Sequence, residues 1–573
     1  MSMLSRIVAG IGKLPPAETH DVVVECDLQV PMPDEVLLLA DRYAPCGVEK
    51  PPLILVRCCY GRRGLFGLLF GQLFAERGFQ VVIQSTRGTF GSGGKLNPFG
   101  DDHDDGLATV AWLRQQPWFP GSFATNGPSY LGFVQWAIAR DAGAELRAMA
   151  IQVSAAEFRG QTYAGESYSL DTTLSWTHLM ANQEHTNIFQ QLLFPAHRKL
   201  QPLFSHLPLR DADKLATGQH APFFQEWLEH NEPGAEYWKV RSFDDTVKDV
   251  TAEINLLGGW YDIFLPWQLR DYRVLREAGK QPYLTIGPWA HSSNESIFYG
   301  IRESLTWLNA QLRGDRSGLR QSPVRIFVTG ANEWRNFSDW PPPGVQEQRF
   351  HLQPGGALAP DLPPTSEPDH YRYDPANPTP QLSGPLLAGK ALPADNRSLE
   401  ARSDVLTYTS APLDQDLEVI GPVQADLYVK SSLEHTDFFA RLCDVDLQSK
   451  SINVCDALLR IVPGRPAPEG DGTLRVIIDL WPTAHRFHAG HCLRLQVSSG
   501  AHPRFARNTG SSEPLATATK LLVANQSIYH DPGHPSGIVL SIAAFISARD
   551  LPGSMCQEYC QSQHDASIDR VER

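Results

Sequence analysis

The chain has 573 residues, with 64 acidic against 50 basic side chains and a formal net charge of -14. That surplus argues against nucleic acid or an anionic membrane surface as the main partner, since both need a basic face, and no apolar run is long enough to span a bilayer. With 42% hydrophobic residues there is material for more than one core, and two to four domains are expected at this length.

The first residues, Met1 to Lys13, set one basic side chain before a short apolar run that glycines interrupt, a poor match to a secretory signal. Strand-like runs follow over 22–30, 36–43, 53–57 and 80–84, with a helical stretch from about 66 to 77 between the last two. Gly88 to Lys95 is glycine-rich after a strand, but the spacing is not that of a phosphate-binding loop, and Leu96 stands where Ser or Thr would coordinate magnesium. It reads as a structural loop with Arg87 ion-paired to a nearby acid. The acids of Asp101-Asp102-His103-Asp104-Asp105 precede a helical run from Leu107 to Arg114, and capping and the helix dipole account for them better than a metal does.

Gly127-Pro128-Ser129-Tyr130-Leu131-Gly132 is the most informative stretch. A serine hydroxyl is a poor nucleophile unless a sharp strand-to-helix turn lifts it towards a base, and small residues relieve the crowding of such a turn. The Tyr130 backbone N–H, next to the serine at the start of the helix, is then one donor of an oxyanion hole. A triad of this type continues downstream in the order acid, then histidine, each just past the end of a strand. Ile254 to Asp262 is an apolar run ending in glycines and an acid; Pro282 to His291 repeats the layout and ends in histidine. Ser129, Asp262 and His291 are therefore the expected catalytic residues.

The region from about 150 to 245 is rich in Leu, Phe, Trp, His and Gln at helical intervals and suits a helical cap. Strand and helix alternation resumes at Ile254, Pro341-Pro342-Pro343-Gly344 marks a break, and short β-type runs beyond Gln348 indicate a sandwich or jelly roll. The expected division is 1–149 and 246–340 for an α/β core, 150–245 for the cap and 341–573 for the β domain. His485, His488 and His491 recur every three residues across a turn and read as surface and turn residues rather than zinc ligands. Nine cysteines, an odd number that includes the adjacent Cys58-Cys59, suggest free thiols in a reducing, cytoplasmic compartment. Cys556 and Cys560 have no second pair nearby to complete a zinc site.

The elbow, Gly258-Gly259-Trp260-Tyr261-Asp262, Gly287-Pro288-Trp289-Ala290-His291 and Arg87-Gly88-Thr89-Phe90-Gly91-Ser92-Gly93-Gly94 together resemble the cocaine esterase-like (CocE/NonD) hydrolases. These are related to X-prolyl dipeptidyl peptidases and α-amino acid ester hydrolases. The resemblance continues through Asp105 to Trp118 and, near the C-terminus, through Tyr408 to Leu413, Thr436-Asp437-Phe438 and Asp479 to Ala484. It implies an α/β-hydrolase core with an inserted helical cap and a C-terminal β jelly roll. It also implies that Tyr60 supplies a second oxyanion donor, although Cys59 replaces the proline usual before that tyrosine, and that Trp176 and Phe264 flank the acyl group. No metal or organic cofactor is expected, the partner is a small-molecule ester, and a homodimer is left open.

Three functions compete at this point. A carboxylic-ester hydrolase comes first. An X-Pro dipeptidyl peptidase, or another aminoacyl hydrolase, needs a carboxylate to bind a substrate ammonium; Leu131 and Phe133 offer none beside the elbow, whereas Glu157, Glu166 and Asp171 in the cap do. A catalytically dead scaffold is the third, and the intact triad speaks against it.

Overall fold

The structure, a computed structural model, describes residues 3–184, 199–387 and 390–543. Its first layer is a ten-stranded sheet in the order β1-β2-β4-β3-β5-β6-β7-β8-β9-β10. These strands are β1 (Val22–Pro31), β2 (Leu37–Pro45), β3 (Leu53–Cys58), β4 (Gln80–Ser85), β5 (Phe123–Pro128), β6 (Leu146–Gln152), β7 (Glu253–Tyr261), β8 (Tyr283–Ala290), β9 (Val324–Val328) and β10 (Glu333–Phe337). From β4 to β9 every neighbouring pair is parallel. The outer strands β1, β2 and β10 pair antiparallel and close the two ends.

Each residue of β3 and of β4 is buried, as continuous apolar runs covered by helices on both faces should be. The helices that position the site are α1 (Asp102–Arg114), α2 (Tyr130–Ala139), α3 (Leu170–Asn182), α4 (Pro222–Glu229), α5 (Leu265–Glu277) and α6 (Asn294–Leu308). The helical stretch expected near 66–77 spans 64–75 and relaxes into a π-helical turn over Gly67–Gln72.

Between β6 and β7 the described chain is largely helical and includes α3 and α4; residues 185–198 of the expected cap lie outside the described residues. After β10 the chain enters a twelve-stranded, mainly antiparallel sheet that forms a separate C-terminal β domain. A stitch joins the two layers: Thr329, just past β9, bridges His485, and its N–H donates to the Ala484 carbonyl at 2.9 Å while its own carbonyl accepts from Arg486 N–H at 2.8 Å.

This stitch corrects one expectation. His485 is buried, hydrogen-bonds with Thr329 Oγ1 (2.8 Å), donates to Asp444 Oδ2 (3.1 Å), and shares Asp444 with His491. Packing between two domains, which periodicity along one segment does not register, draws it inside. His491 is half-buried and His488 reaches the Gly330 carbonyl. Among the described residues no group of His, Cys, Asp or Glu forms a metal cluster, and the described cysteines are free thiols. Cys556 and Cys560 lie outside the described residues. Among the described residues no helix is long and apolar enough to cross a membrane.

Candidate active site

Four parallel strands deliver the site. Tyr60 follows β3, Ser129 follows β5, Asp262 follows β7 and His291 follows β8, so all four emerge at carboxyl ends of parallel strands, with only β6 intervening between β5 and β7, where an open α/β sheet presents its chemistry. The turn into α2 is strained in the manner of a nucleophile elbow, with Ser129 at φ 58° and ψ -122°. Its neighbours leave no room for side chains. A Cβ on Gly127 would sit 2.5 Å from Leu131 Cβ, and one on Gly132 would sit 2.5 Å from Ser154 Cβ.

His291 Nε2 lies 3.0 Å from Ser129 Oγ, and His291 Nδ1 lies 2.6 Å from Asp262 Oδ2. Asp262 is fully buried and His291 nearly so. The other Asp262 oxygen accepts the Phe264 N–H at 2.8 Å, which fixes the carboxylate plane. An imidazole held this way directs one nitrogen at the serine and the other at an acid.

Tyr60 and Tyr130 flank the serine differently. The Tyr60 hydroxyl accepts a hydrogen bond from Trp176 Nε1 at 3.0 Å, and burial pushes the phenol well above its ordinary range, so it stays protonated. Its backbone N–H points at Cys58 Sγ (3.3 Å), and its ring stacks on Phe66. Burial likewise raises the Cys58 thiol to about 12 and lifts the Cys59 thiol well above its ordinary range, which makes both poor nucleophiles. Tyr130 turns its side chain away from the serine: its hydroxyl donates to Asp102 Oδ2 at 2.6 Å and accepts from Phe99 N–H at 3.2 Å. Burial raises the Asp102 carboxyl, against the pull of Arg57 beside it.

This arrangement corrects the capping expectation for the acidic run. Asp101 makes no side-chain cap to α1 and instead accepts from Asn97 Nδ2. Asp102 braces Tyr130, and Asp105 pairs with Arg87 at 2.6 Å, as does Asp34 at 2.7 Å. The acids look local in sequence, but their partners come from other segments.

A pocket opens beside Ser129 and His291, with Tyr60, Trp176 and Phe264 in its wall. Phe264 faces His291 with ring centres 5.6 Å apart. Sequence reasoning missed Phe99, Phe133, Phe158 and Trp227, which also line it, and Leu387, which arrives from beyond the hydrolase sheet. The Asn97-Pro98-Phe99-Gly100 run signals a turn but not which way the Phe99 ring faces. No Asp, Glu, Lys or Arg is among the described residues that line this pocket.

The carboxylates that would serve an aminoacyl hydrolase are already engaged. Glu157 pairs with Arg270 at 3.2 Å and accepts Gly160 N–H, Glu166 pairs with Arg159 at 2.7 Å, and the buried Asp171 accepts Leu387 N–H at 3.0 Å.

Comparison with known proteins bears on this geometry. Residues 34–293 match the model of the X-Pro dipeptidyl-peptidase (S15 family), and residues 318–539 match the X-Pro dipeptidyl-peptidase C-terminal non-catalytic domain. The cocaine esterase of Rhodococcus sp. (strain MB1 Bresler) is 32% identical over 568 residues, covering 91% of this chain and 98% of that protein. The chain belongs to the cocaine esterase-like (CocE/NonD) family. It is a serine hydrolase of that type, in the class of carboxylic-ester hydrolases. Two solved structures share the fold at lower identity. The aminopeptidase of a marine sediment Thaumarchaeota archaeon superposes with a TM-score of 0.77 at 21% identity, covering 92% of this chain and 97% of that one. An α-amino acid ester hydrolase superposes with a TM-score of 0.77 at 19% identity, covering 92% and 98%.

Proposed function

We propose that this CocE/NonD hydrolase cleaves carboxylic esters with uncharged, apolar or aromatic acyl groups through an acyl-serine intermediate. The observation that carries this reading is the hydrogen-bonded series Ser129, His291 and Asp262 opening onto a pocket without a fixed charge. His291 takes the proton of Ser129 as the hydroxyl attacks the acyl carbon and gives it to the leaving alcohol; Asp262 holds the imidazole and supports its transient positive charge. The Tyr60 hydroxyl and the Tyr130 amide stabilise the oxyanion. Water, activated by His291, then releases the acid. Trp176 and Phe264 offer flat apolar faces to the acyl group. These steps require no metal or organic cofactor.

A second reading, an X-Pro dipeptidyl peptidase or α-amino acid ester hydrolase, draws on the S15 match and on Asp171, whose neighbours Thr172 and Thr173 line the pocket. The further organisation belongs to the same proposal: a core of 1–149 and 246–340, a cap of 150–245 and a jelly roll of 341–573. The free thiols support a reducing, cytoplasmic setting, and sedimentation would test for a homodimer. The deciding experiment is active-site labelling with a fluorophosphonate alongside turnover of 4-nitrophenyl esters. Stoichiometric labelling that disappears in Ser129→Ala supports the mechanism; labelling or turnover that survives in a folded Ser129→Ala protein sinks it.

A further inference from the structure

Phe99 is held in a conformation that a bulky residue rarely adopts. Its φ is +64°, in the left-handed region where a Cβ is crowded, yet it is nearly fully buried. Residues in such strain persist only when their surroundings over-determine them, and here the surroundings can be named. Arg241 reaches from the helical segment to Asn97 Oδ1 (2.6 Å) and the Pro98 carbonyl (3.3 Å), fixing the approach to the turn. The Phe99 N–H then meets the Tyr130 hydroxyl, which is itself fixed by donating to Asp102. Asp102 is fixed in turn by Arg57, whose guanidinium also donates to the Asp102 carbonyl at 2.6 Å. The result aims the Phe99 ring into the pocket wall, stacked on Phe158 at 3.8 Å between centres and edge-on to Phe133 at 4.8 Å.

We propose that the Tyr130 hydroxyl and Asp102 act as a clamp on Phe99, and that Phe99 so held sets the size limit of the acyl pocket. The inference rests on the serine-esterase reading and deepens it: the residue after the nucleophile has a second task, through its side chain, as a positioning residue for specificity. Without the hydroxyl the Phe99 N–H has no buried acceptor, and the strained turn is free to relax and swing the ring out of the wall.

The test compares kcat/KM for 4-nitrophenyl 2-naphthoate with that for 4-nitrophenyl acetate. In Tyr130→Phe the bulky-to-small ratio rises by at least about fivefold, because a wall that relaxes admits the larger acyl group while the small one gains nothing. Phe99→Gly, which suits a left-handed position and removes the ring, moves the ratio in the same direction. Asp102→Asn keeps an oxygen acceptor for Tyr130 and keeps the parent's ratio. A merely structural role would lower both substrates together and leave the ratio where it was. A smaller rise in folded Tyr130→Phe overturns the clamp, and an unmoved ratio in Phe99→Gly does so even where Tyr130→Phe does not fold. Fluorophosphonate labelling of the parent separates the two readings: an unlabelled parent defeats the serine mechanism, whereas a labelled parent with unmoved ratios defeats the clamp alone.

Discussion

Trp176 donates its indole N–H to the Tyr60 hydroxyl across 3.0 Å, a bond between the helical segment and the loop after β3. Because the phenol oxygen accepts there, its own hydrogen is left for another acceptor, and the two residues line the same pocket as Ser129. The helical segment therefore contributes to the orientation of a group in the hydrolase sheet.

From this relationship, Tyr60→Phe is expected to reduce kcat by about 10²- to 10³-fold, the range for loss of one oxyanion donor. The ring and its stack on Phe66 remain, so the melting temperature should hardly move. Trp176→Phe keeps an aromatic wall but frees the phenol to rotate, and should cost roughly tenfold in kcat. Steady-state kinetics on folded variants check both; an undiminished kcat in Tyr60→Phe places the second donor elsewhere.

The elbow gives a prediction about stability. A Cβ added at Gly132 would stand 2.5 Å from Ser154 Cβ and 2.9 Å from its Oγ, on a helix packed against β6. Gly132→Ala should destabilise by about 1–3 kcal/mol through overpacking. The double variant Gly132→Ala/Ser154→Gly removes the colliding atoms and should regain part of that loss. Urea denaturation midpoints measure both, and a double variant no more stable than Gly132→Ala would locate the crowding elsewhere.

In the C-terminal domain, His530 Nε2 lies 3.0 Å from Asp369 Oδ2. The hydrogen bond that His530 donates to Asp369 raises the His530 pKa above its ordinary 6.5, and the same bond lowers that of Asp369 below 3.8. The histidine contribution is complete below its unfolded pKa and is lost as pH rises through the raised folded value. The aspartate contribution is present above its unfolded pKa and is lost as pH falls through the depressed one. The pair therefore stabilises most between about pH 4 and 6.5. The melting temperature of the parent should exceed that of Asp369→Asn by more at pH 5.5 than at pH 9; an equal gap at both would exclude the charge pair.

What could be read from the sequence followed from how local each constraint is. The parallel strands announce themselves because both faces are covered, as with the wholly buried β3 and β4. The elbow is legible because a tight turn demands small residues within six positions. Asp102 was not legible as a brace, since its partner Tyr130 lies 28 residues away and the acids before a helix already had a sufficient local explanation. His485 was misjudged for a related reason: its partners Thr329 and Asp444 come from distant segments, which its own surroundings in the sequence do not reveal. The pocket wall is the extreme case. Phe99, Phe158, Trp227 and Leu387 come from four separate segments, and nothing in any one of them marks its ring or methyls as facing a serine.

Substrate charge provides the last prediction. A substrate α-ammonium carried into the pocket would meet aromatic rings, His291 and the neutral Gln161, Thr172 and Thr173 but no carboxylate in the wall, while Glu157 and Glu166 stay committed to Arg270 and Arg159. Burying an unpaired ammonium costs several kcal/mol, which at about 1.4 kcal/mol per factor of ten amounts to orders of magnitude in kcat/KM. A phenylacetyl ester should therefore be cleaved at least about a hundredfold faster than the matched phenylglycyl ester, with X-Pro anilides slower still. The comparison is clean because the two esters differ by one ammonium group and share the ring that the pocket would hold. Equal or faster cleavage of the phenylglycyl ester, reversed by neutralising Asp171, would show that this carboxylate receives the ammonium and would move the protein to the aminoacyl hydrolases.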